Sequence, residues 1–488
     1  NTFGSLAVAG MLVMGGAGVA VAGAADDVAL GSGDQYNPEQ GANHLMGGWL
    51  VTTPETAGKA QGDITLTVTG GTIGEIIGGS YAKSLAANGD SLLTVKHGDI
   101  TTTTISGNTS SAEFVVGGSK VAGGAGANLE TGNISLTIND GTFGKSDKTN
   151  AYELVMGGNY LKASTGDVSV NNTATAENIT VNISGGKFDT SVTGGSVAHV
   201  YGTGATSAPE LSVTDASTSV NITGGTFGQS SSSGLGAIEL DPSIIGGGLA
   251  LVTGKQGTAI STITGNTLVT IAQAEGKELI INDKVLGGSL AQGKGAKVTI
   301  GKEGGTSTSA VVVENVNSVG DLVGGNMTDG DETMKAIDVT TTLHGNSSVT
   351  VKAGKVEGDI IGGSYARDAG TVTTNGNTSV VFNATNSPTV SQAEYIVGGD
   401  KVLSNGTATG KITGTSFVTI NNDASVTTGA VVGGSFSRAT PGTAEATVAN
   451  SVVTINGGTS IAGVVGGGLA GNLTGDKATS EVTNTSAV

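Results

Sequence analysis

Apolar residues in this chain come in short bursts rather than helical stripes. Segments such as Ser416-Phe417-Val418-Thr419-Ile420 and Ser451-Val452-Val453-Thr454-Ile455 alternate with a period of two, the spacing of a half-buried strand. Between such runs recurs a phrase of two apolar residues, two glycines and a small polar residue. It reads Ile76-Ile77-Gly78-Gly79-Ser80, Val115-Val116-Gly117-Gly118-Ser119, Val155-Met156-Gly157-Gly158-Asn159, Val285-Leu286-Gly287-Gly288-Ser289, Leu322-Val323-Gly324-Gly325-Asn326, Ile360-Ile361-Gly362-Gly363-Ser364, Ile396-Val397-Gly398-Gly399-Asp400 and Val431-Val432-Gly433-Gly434-Ser435. Looser copies at Gly47-Gly48, Gly194-Gly195, Gly246-Gly247 and Gly466-Gly467 bring the total to 12.

From one glycine pair to the next the spacings are 31, 39, 40, 37, 52, 41, 37, 38, 36, 35 and 33 residues, a period in the solenoid range. In the last repeats, residues 416–420, 430–436 and 444–448 form three β-like runs per period, which predicts one coil of a three-faced parallel β-helix. About twelve coils of roughly 38 residues, stacked ~4.8 Å apart, would make a rod of roughly 55 to 60 Å. A second phrase supports the register: Val68-Thr69-Gly70-Gly71-Thr72-Ile73, Ile138-Asn139-Asp140-Gly141-Thr142-Phe143, Ile183-Ser184-Gly185-Gly186-Lys187-Phe188 and Ile222-Thr223-Gly224-Gly225-Thr226-Phe227 share one plan. The glycines of both phrases are read as bends between sheets, and Ala in place of Gly363 is expected to destabilise its coil if that site needs φ > 0. The 52-residue gap holds two loop-like insertions, 201–206 and 230–234.

These periods organise the chain into residues 1–25, 26–44 and 45–488. The first has an apolar core followed by Ala22-Gly23-Ala24, the layout of a secretory signal peptide that begins inside itself. The second reads as a lead-in or cap, and the third as the repeat array, expected to continue past Val488 because an open last coil exposes unpaired strand edges.

Composition narrows the function classes. With 85 Gly and 6 Pro in 488 residues but no Gly-X-Y period, the chain is not collagen-like. A hydrophobic fraction of 37% provides a core of small aliphatic side chains. A net charge of −18 argues against nucleic acid as a partner. The absence of Cys removes disulfides and thiol chemistry.

Catalytic signals are sparse. His44, His97, His199 and His344 lie in separate repeats without ligand spacing, so each reads as a surface or turn residue. A carboxylate precedes the first signature glycine by three or four residues in seven copies: Glu75, Glu113, Glu153, Asp283, Asp321, Asp359 and Glu394. Stacked, these suggest an acidic edge, read first as a solvated turn and second as weak Ca²⁺ sites. A large residue follows the signature at Trp49, Tyr81, Tyr160, Leu249, Leu290, Tyr365, Phe436 and Leu469, and Leu exchanging with aromatics favours packing over an exposed binding stripe. Thr is abundant, as at Thr101-Thr102-Thr103-Thr104, but shows no common register along the sequence, which sets an ordered-water face aside.

The signal-like start, the Cys-free acidic composition and the Val-x-Ile-x-Gly-Gly and Ile-Ile-Gly-Gly-Ser coils together resemble the passenger region of a type V autotransporter adhesin of a Gram-negative bacterium. The resemblance implies a right-handed parallel β-helix on the cell surface or outer membrane. It also implies adhesion to a host surface protein or glycan, or self-association, with membrane contact only through a C-terminal anchor that this sequence does not contain. Parallel β-helices also carry polysaccharide lyases and glycosidases, but those need a cleft with paired carboxylates and aromatic platforms, and one Trp with scattered acids fits that poorly.

Overall fold

The computed structural model describes residues 27–29, 35–36, 42–51, 62–68, 72–83, 93–104, 111–123, 126–144, 154–164, 171–201, 208–228, 240, 242–253, 256–330, 339–382, 389–421, 425–440, 442–456, 460–472 and 477–488. Among them every regular element is a β-strand, and every strand pairing is parallel, each strand lying on its equivalent one repeat away. The chain is a parallel β-solenoid. Residues 1–25, read above as a signal peptide, and the insertions at 202–206 and 230–234 lie outside the described residues.

A coil has four strands rather than three, as residues 370–404 show: Gly370–Thr374, Thr378–Phe382, Thr389–Val397 and Lys401–Ser404. The signature is not itself a strand. Its apolar pair ends the third strand, its glycines turn the corner, and the fourth strand starts in a separate sheet. That sheet has 12 strands, one for each signature copy, while the other three strand types merge into a 36-stranded sheet. The array also starts earlier than residue 45, since Asp27–Ala29 pairs with His44–Met46 and Gln35–Tyr36 with Thr67–Val68.

Alternation along the third strand explains why the signature needs two apolar residues. The first of them, such as Ile76, Val115 or Ile360, packs inward against second-strand residues such as Leu136, Ile138 and Val349. The second, such as Ile77, Val116 or Ile361, points the opposite way, into the outer angle between the third and fourth strands, where it meets Tyr81, Tyr160, Leu290 and Tyr365. A further inner core joins the fourth strand to the first through Val121, Leu161, Leu129 and Val213. The second phrase adds a buried stack of Phe143, Phe188 and Phe227, with ring centroids 5.0 and 4.5 Å apart.

The glycines of the two phrases do different work. In the second phrase Gly141, Gly186 and Gly225 have φ of 125°, 107° and 115°, where only glycine is at ease. The signature glycines, Gly363 among them, have no such angle, so the condition of a positive φ is not met there. They are glycines because the next coil leaves no room: a Cβ on Gly363 would stand 2.7 Å from the carbonyl oxygen of Gly399.

Candidate functional site: ladders and lysine boxes

The small polar residue that closes the signature builds a ladder inside the rod. Ser80, Ser119, Asn159, Ser196, Ser289, Asn326, Ser364, Asp400 and Ser435 are all fully buried. Each side-chain oxygen accepts the backbone N–H of its equivalent one coil earlier: Ser80 N–H to Ser119 Oγ at 3.1 Å, Ser119 to Asn159 Oδ1 at 2.8 Å, Asn326 to Ser364 Oγ at 3.1 Å and Ser364 to Asp400 Oδ1 at 2.7 Å. The ladder position is glycine twice, at Gly248 opposite Ser196 and at Gly468 opposite Ser435. At the first, the Asp215 carboxyl reaches in: its Oδ2 accepts the Ser196 N–H at 2.8 Å and its Oδ1 lies 2.7 Å from the Ser196 hydroxyl oxygen. Ser119→Ala would leave the Ser80 N–H buried without an acceptor, so a loss of about 1–3 kcal/mol is expected in chemical unfolding. Ser119→Asn, which keeps an acceptor of the kind Asn159 provides, should lose less.

A second ladder, on the exposed corner between first and second strands, runs the other way. Here each N–H is accepted by the preceding coil: Asp99 by Asp63 at 2.9 Å, Asn133 by Asp99 at 2.8 Å, Thr308 by Asn266 at 2.8 Å, and Thr415 by Asn377 at 2.8 Å.

The acidic edge is not one row. Glu75 pairs in register with His44 and Phe114, and Asp321 with its neighbours Lys284 and Asp359 follows the same column, whereas Asp283 sits one residue earlier. A one-residue offset on a strand turns the side chain to the other face. Glu113 and Glu394 share that offset; their side chains, and Glu153 entirely, lie outside the described residues. The column carboxylates are already engaged. Asp321 Oδ1 accepts the Asp359 N–H and Asp359 Oδ1 the Tyr395 N–H, both at 2.8 Å, and Lys284 Nζ stands 3.6 Å from Asp321.

Two of these carboxylates belong to one constellation that occurs twice. Lys120 Nζ meets Glu75 at 2.5 Å and lies 4.9, 5.5 and 5.9 Å from the rings of Tyr81, Phe114 and Tyr160. Lys401 Nζ meets Asp359 at 2.6 Å and lies 5.5 Å from the Tyr365 ring, with Tyr395 and Phe436 packed together beside it, centroids 4.5 Å apart. The sequence basis is a pair of consecutive signatures, Glu75-Ile-Ile-Gly-Gly-Ser-Tyr81 before Phe114-Val-Val-Gly-Gly-Ser-Lys120, and Asp359-Ile-Ile-Gly-Gly-Ser-Tyr365 before Tyr395-Ile-Val-Gly-Gly-Asp-Lys401. Burial works to raise the Glu75 carboxyl, but its bonds to His44 and Lys120 overrule this and hold it at about 2. Its pairing therefore stabilises the coil above pH 4.5, its ordinary value, and is lost as pH falls from there toward 2.

The large residue after the signature is part of the same packing. Tyr81, Tyr160, Leu249, Leu290, Tyr365 and Phe436 are buried and Leu469 is half-buried. Trp49 stands one place earlier, at the ladder position, where its N–H donates to Ser80 Oγ, and Leu50 takes the place opposite Tyr81.

Two of the four histidines are interior, contrary to the surface reading. His97 Nε2 bonds Ser80 Oγ at 2.9 Å, and burial pushes its pKa down to about 4. His199 lies between the Tyr160 hydroxyl at 3.0 Å and Thr253, and burial, helped by Lys162, pushes it down to about 3. Both are neutral structural groups at physiological pH. His344 is at the half-exposed corner beside Asn375, and His44 is in the Glu75 pair.

Register also reveals what the linear sequence hides about threonine. Thr175, Thr214, Thr262, Thr299, Thr342 and Thr373 occupy one outward column on six consecutive coils, about 24 Å long. Lys and Glu flank it, Glu130 before and Lys411 after. Comparison with family models, curated proteins and solved structures finds no match for the chain.

Proposed function

We infer that the protein is an exported bacterial surface rod, a passenger-like stalk and adhesin that presents its outward polar columns to a host glycan, a surface protein or another copy of itself. The supporting observation is the six-threonine column. Its hydroxyls repeat at the rung spacing on a rigid face, so many weak contacts can be made together at little entropic cost. The column carboxylates Glu75, Asp321 and Asp359 are committed to lysines and backbone N–H groups. The test is binding of the purified rod to immobilised glycans and matrix proteins, in parallel with an assay for new reducing ends. Thr262→Lys with Thr299→Glu should weaken retention at least about tenfold while leaving the melting temperature within a few degrees, since both side chains face outward, half-exposed, and opposite charges on facing positions attract. Retention unchanged by the pair would remove this face from the binding surface, and release of reducing ends would replace adhesion with polysaccharide cleavage.

A further inference from the structure

Two acids lie inside the rod where every comparable position is neutral. Asp400 occupies the inner ladder, in the place held elsewhere by Ser or Asn, and is fully buried. Its Oδ1 accepts the Ser364 N–H at 2.7 Å, while its Oδ2 is buried without a hydrogen-bond partner. The groups facing it are Ser364 and Ser435 of the adjacent coils, together with Val402 and Gly410; none titrates. The charged residues nearest in sequence are turned away, Lys401 into its pair with Asp359 and Lys411 onto the exposed face.

Asp215 stands at a changeover in packing. In its column the residues before it are Thr131 and Ala176 and those after it Ile263, Ile300 and Leu343; in the adjoining column Ile134 and Ile179 give way to Thr218, Thr267 and Ser309. Large and small exchange places, and on the coil where they cross both positions are polar. Asp215 fills the gap, bonded only to Ser196 and bordered by Gly195, Ala176 and Ile263. Again no titratable group faces it.

We propose that Asp215 and Asp400 are neutral carboxylic acids in the folded rod and act as a pH-set latch, so that their coils grip tightest in acid and loosen as the two carboxyls ionise. At Asp400 an amide-like acid, one oxygen accepting and the other carrying the proton, matches the ladder as Asn159 and Asn326 do; at Asp215 the Oδ2 accepts the Ser196 N–H and the proton sits on Oδ1, donated to the Ser196 hydroxyl oxygen 2.7 Å away, and a carboxylate without a cation in this interior is strongly disfavoured. In agreement, burial raises Asp215 to about 6 and Asp400 to about 7, against partial opposition from the Ser196 and Ser364 bonds. The folded values exceed the unfolded one of 3.8, so this stability is fully present below pH 3.8 and drains away as pH rises through each folded value.

The experiment is infrared spectroscopy of the full chain at about pH 5.5, where ordinary Asp carboxyls are ionised. A protonated-acid carbonyl band is expected, part of it removed by Asp400→Asn and the rest by Asp215→Asn. Hydrogen exchange at Ser364 and Ser196, corrected for intrinsic rate, should show coil opening rising about tenfold per pH unit up to each folded value in the parent chain and staying flat in the matching variant. Absence of the band, or a band indifferent to both substitutions, overturns the proposal. If a variant fails to fold, the band of the unaltered chain still decides.

Discussion

Gly363→Ala is expected to cost about 3 kcal/mol or more of local stability, seen as early urea unfolding and faster hydrogen exchange in the coils on either side. The cause is contact, not backbone angle. The new Cβ would press on the carbonyl of Gly399 and on the Asp400 carboxyl group. Neither can retreat, because Gly363 donates to Gly399 at 3.0 Å and Asp400 accepts from Ser364. A Cβ on Gly463, which also lacks a positive φ, meets nothing within 4 Å. Gly463→Ala should accordingly stay within about 0.5 kcal/mol of the parent. Equal effects at the two sites would show that coil spacing is not what requires the signature glycine.

The second large effect is expected at the lysine box. Lys401→Met keeps the length of the side chain and its packing against Tyr365 but strands the Asp359 carboxylate, which is 9% exposed. Removing one partner of such a pair costs about 3–5 kcal/mol, whereas replacing both can be close to neutral. Thermal unfolding should therefore fall sharply in Lys401→Met and recover substantially when Asp359→Asn is added, since Asn still accepts the Tyr395 N–H. A double variant no better than the single one would mean that the lysine acts through its stem packing alone.

The parallel solenoid was legible because its grammar is local. The alternation of Val418 and Ile420, the glycine pairs and their spacing together specify stacked strands with twelve corners. What was not legible depends on counting register one residue finely. Glu75 and Asp283 look equivalent in the sequence, yet Asp283 stands one position earlier in register and leaves the column. Trp49 looks like the partner of Tyr81 but takes the ladder place of Ser80. The threonine column emerges only when strands of different loop length are aligned, since the residues between Thr214 and Thr262 outnumber those between Thr262 and Thr299. His97 and His199 were read as surface groups because polarity alone does not show that a hydroxyl waits inside to satisfy them.

Opposed ladders have a consequence for how such a chain can change over time. A newly inserted coil finds an acceptor already offered at the exposed corner and brings one for its predecessor inside. Any whole coil is thus an interchangeable part, and the chain can grow or shrink by one repeat without leaving a backbone donor orphaned. Coils with glycine at the ladder place are the exception, and in the stretch that joins Asp215 to Gly248 the acid is the substitute for the missing side chain, so the two must be copied or lost together. Length is free to vary elsewhere along the rod and is pinned there.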